Sequence, residues 1–494
     1  MKPVFLLFSL FFATQSLVAQ SFMLNFNMKK TYGNPYVFND SAAQKTYFVF
    51  IRNEGFAKKA SLCIIETDSV FNILRTSETN CGAWGGDIVF KDINATHLTL
   101  YFADYRPNFV PFLRKLEIDK QTLAYDFGKV IQLENLEDLS YVRCLSDGKR
   151  HYLVTLFHNN HKDSLSVLKV ENSVAQSYKG YALPDLSDIG ETWRGVFKGK
   201  NFFKIIEPLY AIDPLEEPDM SVGLYDKKLY LTNDKLVFSL KKGRDESKME
   251  KIVTIDCQNA TIDVGNVHFT KPNVIGYHTE NAPSAASFVV DDYLFQAWTN
   301  GEKGILMAKT LDSFREVRRW EFSPQDTFGF KNSAVFMGKK GYWFADKKKP
   351  FKDNKELSNL MRNDGLSLTA RKRGNRLEMQ FGSYKYVDES NKKLGLSLSF
   401  GLIGGIVATF AFPNYEQATY FWLSLNQADL SQSEGATLPT AFDGLSKVIE
   451  NIPNVSVLNH SVINGRRAFL YQRDETQLLP HDIKRYHLLI EAKK

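Results

Sequence analysis

A hydrophobic strand, a short polar turn and an alternating strand with a charged or Asn/Asp-rich tip recur down the first two-thirds of this chain. Tyr47-Phe48-Val49-Phe50-Ile51 leads to Ala60–Asp68, and His97–Phe102 leads to Phe112–Asp119. Tyr152–Phe157 leads to Ser164–Asn172, Leu229-Tyr230-Leu231 to Lys235–Leu240, and Tyr293–Trp298 to Gly304–Lys309. One hairpin repeated at such spacing predicts a repeat architecture, in which similar units stack on their neighbours. It constrains the fold strongly and the chemistry very little.

The rest of the composition agrees with a β-rich globular chain. At 494 residues the protein is too long for one ordinary domain. Phe (38) and Tyr (22) are abundant, which suits strands. The net charge of +6 is small for this size, so nothing predicts a nucleic-acid partner, which would need clustered basic residues.

The first residues read as an export signal. Lys2 supplies a positive start, Val4–Phe12 a short apolar stretch, and Leu17-Val18-Ala19-Gln20 a small-residue cleavage site. The apolar run is too short to span a bilayer, so residues 1–20 are expected to be removed and the mature chain to be periplasmic, surface-bound or extracellular. Export permits disulfides. Of the four cysteines, Cys63 and Cys81 are nearest in sequence and could tie a strand to the next loop, while Cys144 and Cys257 look like buried thiols. The plainer reading leaves all four free.

Residues 21–346 alternate short strands with turns such as Asp147-Gly148, Lys242-Gly243 and Asn300-Gly301. The strand phrases begin near Tyr47, His97, Tyr152, Phe202, Leu229 and Tyr293, at intervals of about 50 residues, with the Leu229 interval short and the next one long. In this pattern the region resembles the β-propeller repeat superfamily in its loose, signature-poor form. The resemblance implies a six- or seven-bladed propeller. It carries over no functional residue, because the WD dipeptide, kelch double-glycine and Asp-box signatures are missing. An array of β-sandwiches is the competing fold.

Residues 347–376 are rich in Lys and Arg and read as a basic linker, and 377–494 as a small α+β C-terminal domain. Within that domain 394–412 carries no charge. Hydropathy alone would make it a membrane helix. Its strict alternation from Leu394 to Leu402, followed by Gly404-Gly405, favours a β-hairpin, so membrane contact is possible but not favoured. A strand is expected at Tyr420–Leu425, and one helix from a Thr440 cap to Pro453. A hairpin around Asn464-Gly465 and a final strand at Tyr486–Ile490 complete the domain.

Candidate chemistry is sparse. Trp84-Gly85-Gly86-Asp87 and Glu191-Thr192-Trp193-Arg194 pair an aromatic ring with polar groups, as sugar sites do; a Trp buried between sheets is the plainer alternative. Glu207 and the acidic run 213–219 could offer oxygens to calcium but fit no calcium-loop spacing. His158-Asn159-Asn160-His161 has two ring ligands but reads as a hairpin tip, so no metal is assigned. There is no Gly-x-Ser-x-Gly, phosphate-binding loop, His-Glu-x-x-His or Cys-x-x-Cys, and no cofactor is expected. The expectation is an exported, non-catalytic binding scaffold for protein or glycan, with Trp84, Asp87, Glu191, Trp193, Arg194 and Glu207 as candidate contacts. The alternatives are a propeller enzyme acting on carbohydrate and a membrane-anchored sensor using 394–412.

Overall fold

The computed structural model describes residues 19–29, 36–53, 60–82, 87–104, 112–132, 142–171, 174–198, 209–241, 249–269, 284–340, 349–387, 415–433, 455–473 and 483–491, less a few turn positions. The protein is mainly β. Strand β1 spans Ala19–Lys29. Sheet I holds β2 (Tyr36–Asp40), β3 (Lys45–Asn53), β4 (Ala60–Thr67) and β5 (Ile73–Gly82). Sheet II holds β6 (Asp87–Ile93), β7 (His97–Asp104), β8 (Phe112–Asp119) and β9 (Tyr125–Gln132). Sheet III holds β10 (Val142–Ser146), β11 (Arg150–Asn159), β12 (Lys162–Glu171), β13 (Val174–Ala175) and β14 (Lys179–Ala182). Sheet IV holds β15 (Tyr210–Ile212), β16 (Lys227–Thr232), β17 (Lys235–Lys241), β18 (Met249–Asp256) and β19 (Thr261–His268). Sheet V holds β20 (Ser284–Val290), β21 (Tyr293–Thr299), β22 (Gly304–Thr310) and β23 (Glu316–Phe322). Sheet VI takes β24 (Val335–Lys340), β25 (Lys349–Phe351), β26 (Leu366–Arg373), β27 (Arg376–Val387) and β28 (Tyr415–Asn426) in the order β25-β24-β28-β27-β26. Sheet VII joins β1 to β29 (Val455–Ile463), β30 (Arg466–Arg473) and β31 (Ile483–Glu491), in the order β1-β31-β30-β29. The sheets sort into two compact units, one of sheets I, II and VII and the other of sheets III to VI.

Most sheets are antiparallel meanders in chain order, the form of a propeller blade. All five repeated phrases are hairpins: β3–β4, β7–β8, β11–β12, β16–β17 and β21–β22. In four of the five the phrase is the second and third strand of its meander. The reason is burial. Tyr47, Phe48, Val49 and Phe50 on β3 are each at most 1% exposed, so both faces of this strand are covered and its sequence is continuously apolar. Outer strands look different. On β19 and β23 most side chains are exposed, and Glu316, Arg318, Arg319 and Glu321 keep the β23 edge charged. In sheet IV the phrase β16–β17 falls one strand early, on the first two strands of the antiparallel meander. That shift lengthens the interval from Leu229 to the next phrase at Tyr293. The phrase expected near Phe202 lies outside the described residues.

Two expectations about domain boundaries change. Residues 347–376 are not a linker: they contain β25, a helix at Asn354–Asn363 and β26. Leu357 and Met361 of that helix are fully buried, and Leu366 and Leu368 of β26 join the same core. Lys355 and Lys372 are exposed on elements that bury Leu357, Met361, Leu366 and Leu368, while Arg371 turns inward to pair with Glu378, so charge density here does not mark a solvated segment. Nor is 377–494 one domain. Its β27 and β28 belong to sheet VI beside β24, while β29–β31 pair with β1 in sheet VII. Period-two patterns identify strands but not their partners. The expected hairpin about Asn464-Gly465 is β29–β30, and the final strand is β31. The stretch 394–412 and the expected helix near 440–453 lie outside the described residues. Among the described residues, no helix is long and apolar enough to cross a membrane.

The larger unit has the larger core. Phe322, Phe328, Phe330, Phe381 and Phe421 pack edge-on or tilted at 5.1–6.4 Å between centroids. Close approach elsewhere depends on Gly223, in the Met220–Leu224 turn, where a Cβ would lie 2.6 Å from the backbone nitrogen of Leu368.

The Cys63–Cys81 bridge is not formed. Cys63 is free and buried, and register explains it: Cys63 faces Glu78, while Cys81 falls at a bulge near Ala60 and Ser61. Burial pushes the Cys63 thiol up to about 12. Neither Cys144 nor Cys257 forms a disulfide, and both are half-buried. Iodoacetamide at pH 8 is therefore expected to leave Cys63 unmodified in the native protein and to modify it in denaturant. A Cys63–Cys81 peptide in a non-reducing digest would contradict the register.

Candidate functional site

Of the residues singled out by sequence, those in the described structure do not form a ring platform. Trp193 is 3% exposed at the start of the helix Trp193–Lys198. Its indole N–H donates to the Pro184 carbonyl at 2.8 Å, and its ring packs edge-on against Phe238 at 5.2 Å. This is a core tryptophan with a satisfied polar tip, so the expected sugar-stacking role fails. Glu191 pairs with Lys227 at 3.1 Å, and Lys227 also donates to the Gly195 carbonyl, so the pair pins the segment before the helix to sheet IV. Arg194 is half-buried beside them. Asp87 opens β6. Trp84 and Glu207 lie outside the described residues. His158 faces Asp163 across the β11–β12 hairpin. Among the described residues no group of His, Cys, Asp and Glu is arranged to hold a metal.

A different set of polar residues recurs. Asp or Asn stands in or beside one hairpin turn of six sheets: Asp40, Asn94, Asp147, Asn233-Asp234, Asp291-Asp292 and Asn375. Several receive a donor from a neighbouring sheet of the same unit. In the smaller unit Lys120 bonds Asp40 and reaches the Asn94 carbonyl at 2.8 Å. In the larger unit Arg150 pairs with Asp234, and the Tyr152 hydroxyl donates to the same carboxylate at 2.7 Å. Those bonds hold the Asp234 carboxyl below its usual range against the opposing effect of burial. Asn233 donates to Asp292 at 2.8 Å. Sequence reading used Asp147 alone of these residues, as turn punctuation, and passed over the others. The signal available was their fixed place, one turn ahead of a strand start.

The turns of sheets V and VI enclose a cleft of about 540 Å³. Asp291, Asp292 and Tyr293 come from the β20–β21 turn, Asn375 from the β26–β27 turn, and Asn426–Asp429 from the end of β28. Asp291 holds a left-handed backbone (φ 53°), and its carboxylate accepts from Gln427 and from Lys372, the latter at 3.3 Å. The Tyr293 hydroxyl donates to the Gln427 carbonyl at 3.1 Å, and Gln427 N–H donates to the Asn375 carbonyl at 2.9 Å. The floor is thus cross-braced. The rim is open: Asp292, Asn375 and Asp429 are exposed. Ser431 donates from its amide and hydroxyl to Asp429 and holds that carboxyl below the usual range. Burial and the carboxylates of Asp292, Asp291 and Asp429 raise Tyr293, so its phenol stays protonated at neutral pH. The cleft therefore offers carboxylate acceptors, carboxamides that both donate and accept, and one half-buried ring edge.

The other polar cluster is sealed. Glu250 on β18 is 0% exposed and accepts from Ser239 at 2.5 Å, Ser287 at 2.6 Å and Gln296 at 2.8 Å. Gln296 in turn accepts from Lys309 at 2.9 Å. Glu250 shares a strand face with Ile252 and Thr254, so period two places it inward, although its residue type suggests solvent.

No family model matches the sequence, and no curated protein matches it either. Among solved structures it is similar to the β-propeller domain of the trilobed protease from Pyrococcus furiosus, at 9% identity and a TM-score of 0.33, over 94% of this chain and 95% of that one. A cobalt-substituted Synechocystis apocarotenoid oxygenase aligns at 7% identity and a TM-score of 0.28, over 58% of this chain and 61% of that one.

Proposed function

We propose that this chain is a non-catalytic binding scaffold built from propeller-type sheets, and that the cleft between the turns of sheets V and VI seats a glycan. The cleft carries the reading. Its rim sets Asp292, Asn375 and Asp429 around the half-buried Tyr293. Carboxylates and carboxamides beside a ring are the groups that hydrogen-bond vicinal hydroxyls and cover one sugar face. Hydrolysis of a glycoside needs a carboxyl that keeps its proton near neutrality. Asp429 is held below the usual range, which favours binding over proton donation. Export is proposed on the Lys2–Gln20 signal alone.

Asn375 is exposed and its side chain makes no hydrogen bond among the described residues, so Asn375→Ala should leave stability within ~0.5 kcal/mol. The same change should weaken glycan binding about tenfold or more, the loss of one to two hydrogen bonds. Calorimetric titration of the full chain against hits from a glycan array tests this. Equal affinity of the variant, or no binding of any glycan, would refute the site; release of reducing sugar would favour the enzyme.

A further inference from the structure

Lys228 on β16 is 0% exposed. Its Nζ donates to the Ser287 carbonyl on β20 at 2.7 Å and to the Gly223 carbonyl at 3.4 Å, and among the described residues it forms no ion pair. Lys241 pairs with Asp226 at 2.9 Å and also reaches the Ala285 carbonyl at 3.0 Å. Lys309 connects through Gln296 to Glu250. Lys309 also has the Glu316 carboxylate across the β22–β23 pair, so of the three lysines Lys228 is the one whose amine meets only backbone carbonyls. Ser287 links it to the sealed cluster: the carbonyl accepts from Lys228 while the hydroxyl donates to Glu250.

We propose that Lys228 is a proton-operated latch between sheets IV and V, its neutral amine holding β16 against β20 and the Met220–Leu224 turn and its protonation favouring their separation. A neutral amine needs little solvation and can donate to two carbonyls. An ammonium brings a full charge and three N–H groups into a space with those two acceptors only. The charged and titratable groups facing it are Lys241 on β17, which opposes protonation, and Glu250 on β18 and Asp226 before β16, which favour it. Tyr230 on the same strand is held protonated by burial and adds no charge. Burial is the largest influence and brings the Lys228 amine down to about 7 from 10.5. The latch also bears on the cleft, because β20 runs directly into the Asp291–Tyr293 turn that walls it.

The sign follows from proton counting. Between about 7 and 10.5 the unfolded or opened chain binds a proton that the closed state does not, so closure strengthens as pH rises across that window. Below the window both states are protonated and the full penalty stands. The test compares urea unfolding of the full wild-type chain and Lys228→Met from pH 6.5 to 10, together with lysine side-chain NMR of the wild type. The unfolding constant of the wild type should fall close to tenfold per pH unit relative to Lys228→Met, and one lysine should titrate near 7. Parallel profiles would overturn the latch, as would a wild-type Lys228 signal that titrates near 10.5. If Lys228→Met does not fold, the NMR titration alone decides. Neither measurement uses a ligand, so the result stands apart from the glycan reading.

Discussion

Glu250→Ala is expected to destabilise the larger unit by about 3–5 kcal/mol, because it removes the only carboxylate of a sealed cluster and strands its partners. Ser239, Ser287 and Gln296 each lose the acceptor they now reach within 2.8 Å. Each orphaned donor costs about 1–3 kcal/mol in a site closed to water, less whatever rotation of the hydroxyls recovers. Lys309 keeps its bonds to the Gln296 amide oxygen and the His268 carbonyl but loses the Glu250 charge behind Gln296. Glu250→Gln keeps the shape and one acceptor oxygen, so its cost should be clearly smaller. The separation of the two variants in urea midpoint is the measurement. A change below about 1 kcal/mol for Glu250→Ala would show that water reaches the cluster and satisfies the stranded donors.

Phe381→Ala should cost a similar amount, about 3–5 kcal/mol, by a different route. Phe381 is 0% exposed on β27, with Phe322 and Phe421 at 5.5 Å and Phe330 at 6.4 Å between ring centroids. β27 lies between β26 and β28, so the rings above it have little freedom to collapse into a void. Phe381→Leu keeps most of the volume and should cost about 1–1.5 kcal/mol. The two variants differ only in the space left behind, and thermal unfolding of both separates cavity from transfer. Equal losses would mean that edge-on ring packing, and not volume, holds this core.

These two residues also mark the limit of sequence reading. Phe381 sits in a stretch whose alternation, Leu377, Met379 and Phe381 inward, can be read directly. Glu250 obeys the same alternation, yet a lone Glu on a strand says solvent until its three donors, drawn from β17, β20 and β21, are seen together. The cleft is harder still. Asp291, Asn375 and Gln427 come from separate hairpins, and each alone is an ordinary turn or strand-end residue. Trp193 follows the plainer of its two readings, a buried ring, with the Pro184 carbonyl as the partner that lets its indole N–H be buried.

The sequence by itself determined the hairpins, because period-two patterning and turn residues act within a few positions and doubly covered strands must be continuously apolar. It also determined the mainly β class and the repetition of one structural phrase. Only the tertiary structure decided that β1 completes the sheet of β29–β31, that the basic stretch 347–376 belongs inside sheet VI, and that Cys63 misses Cys81 by register. Strand pairing over long separations depends on which edges meet, and local pattern carries no record of that. The cleft and the Lys228 cluster have the same origin: both are made where separate strands converge, and their charge balance exists only once those strands are in contact.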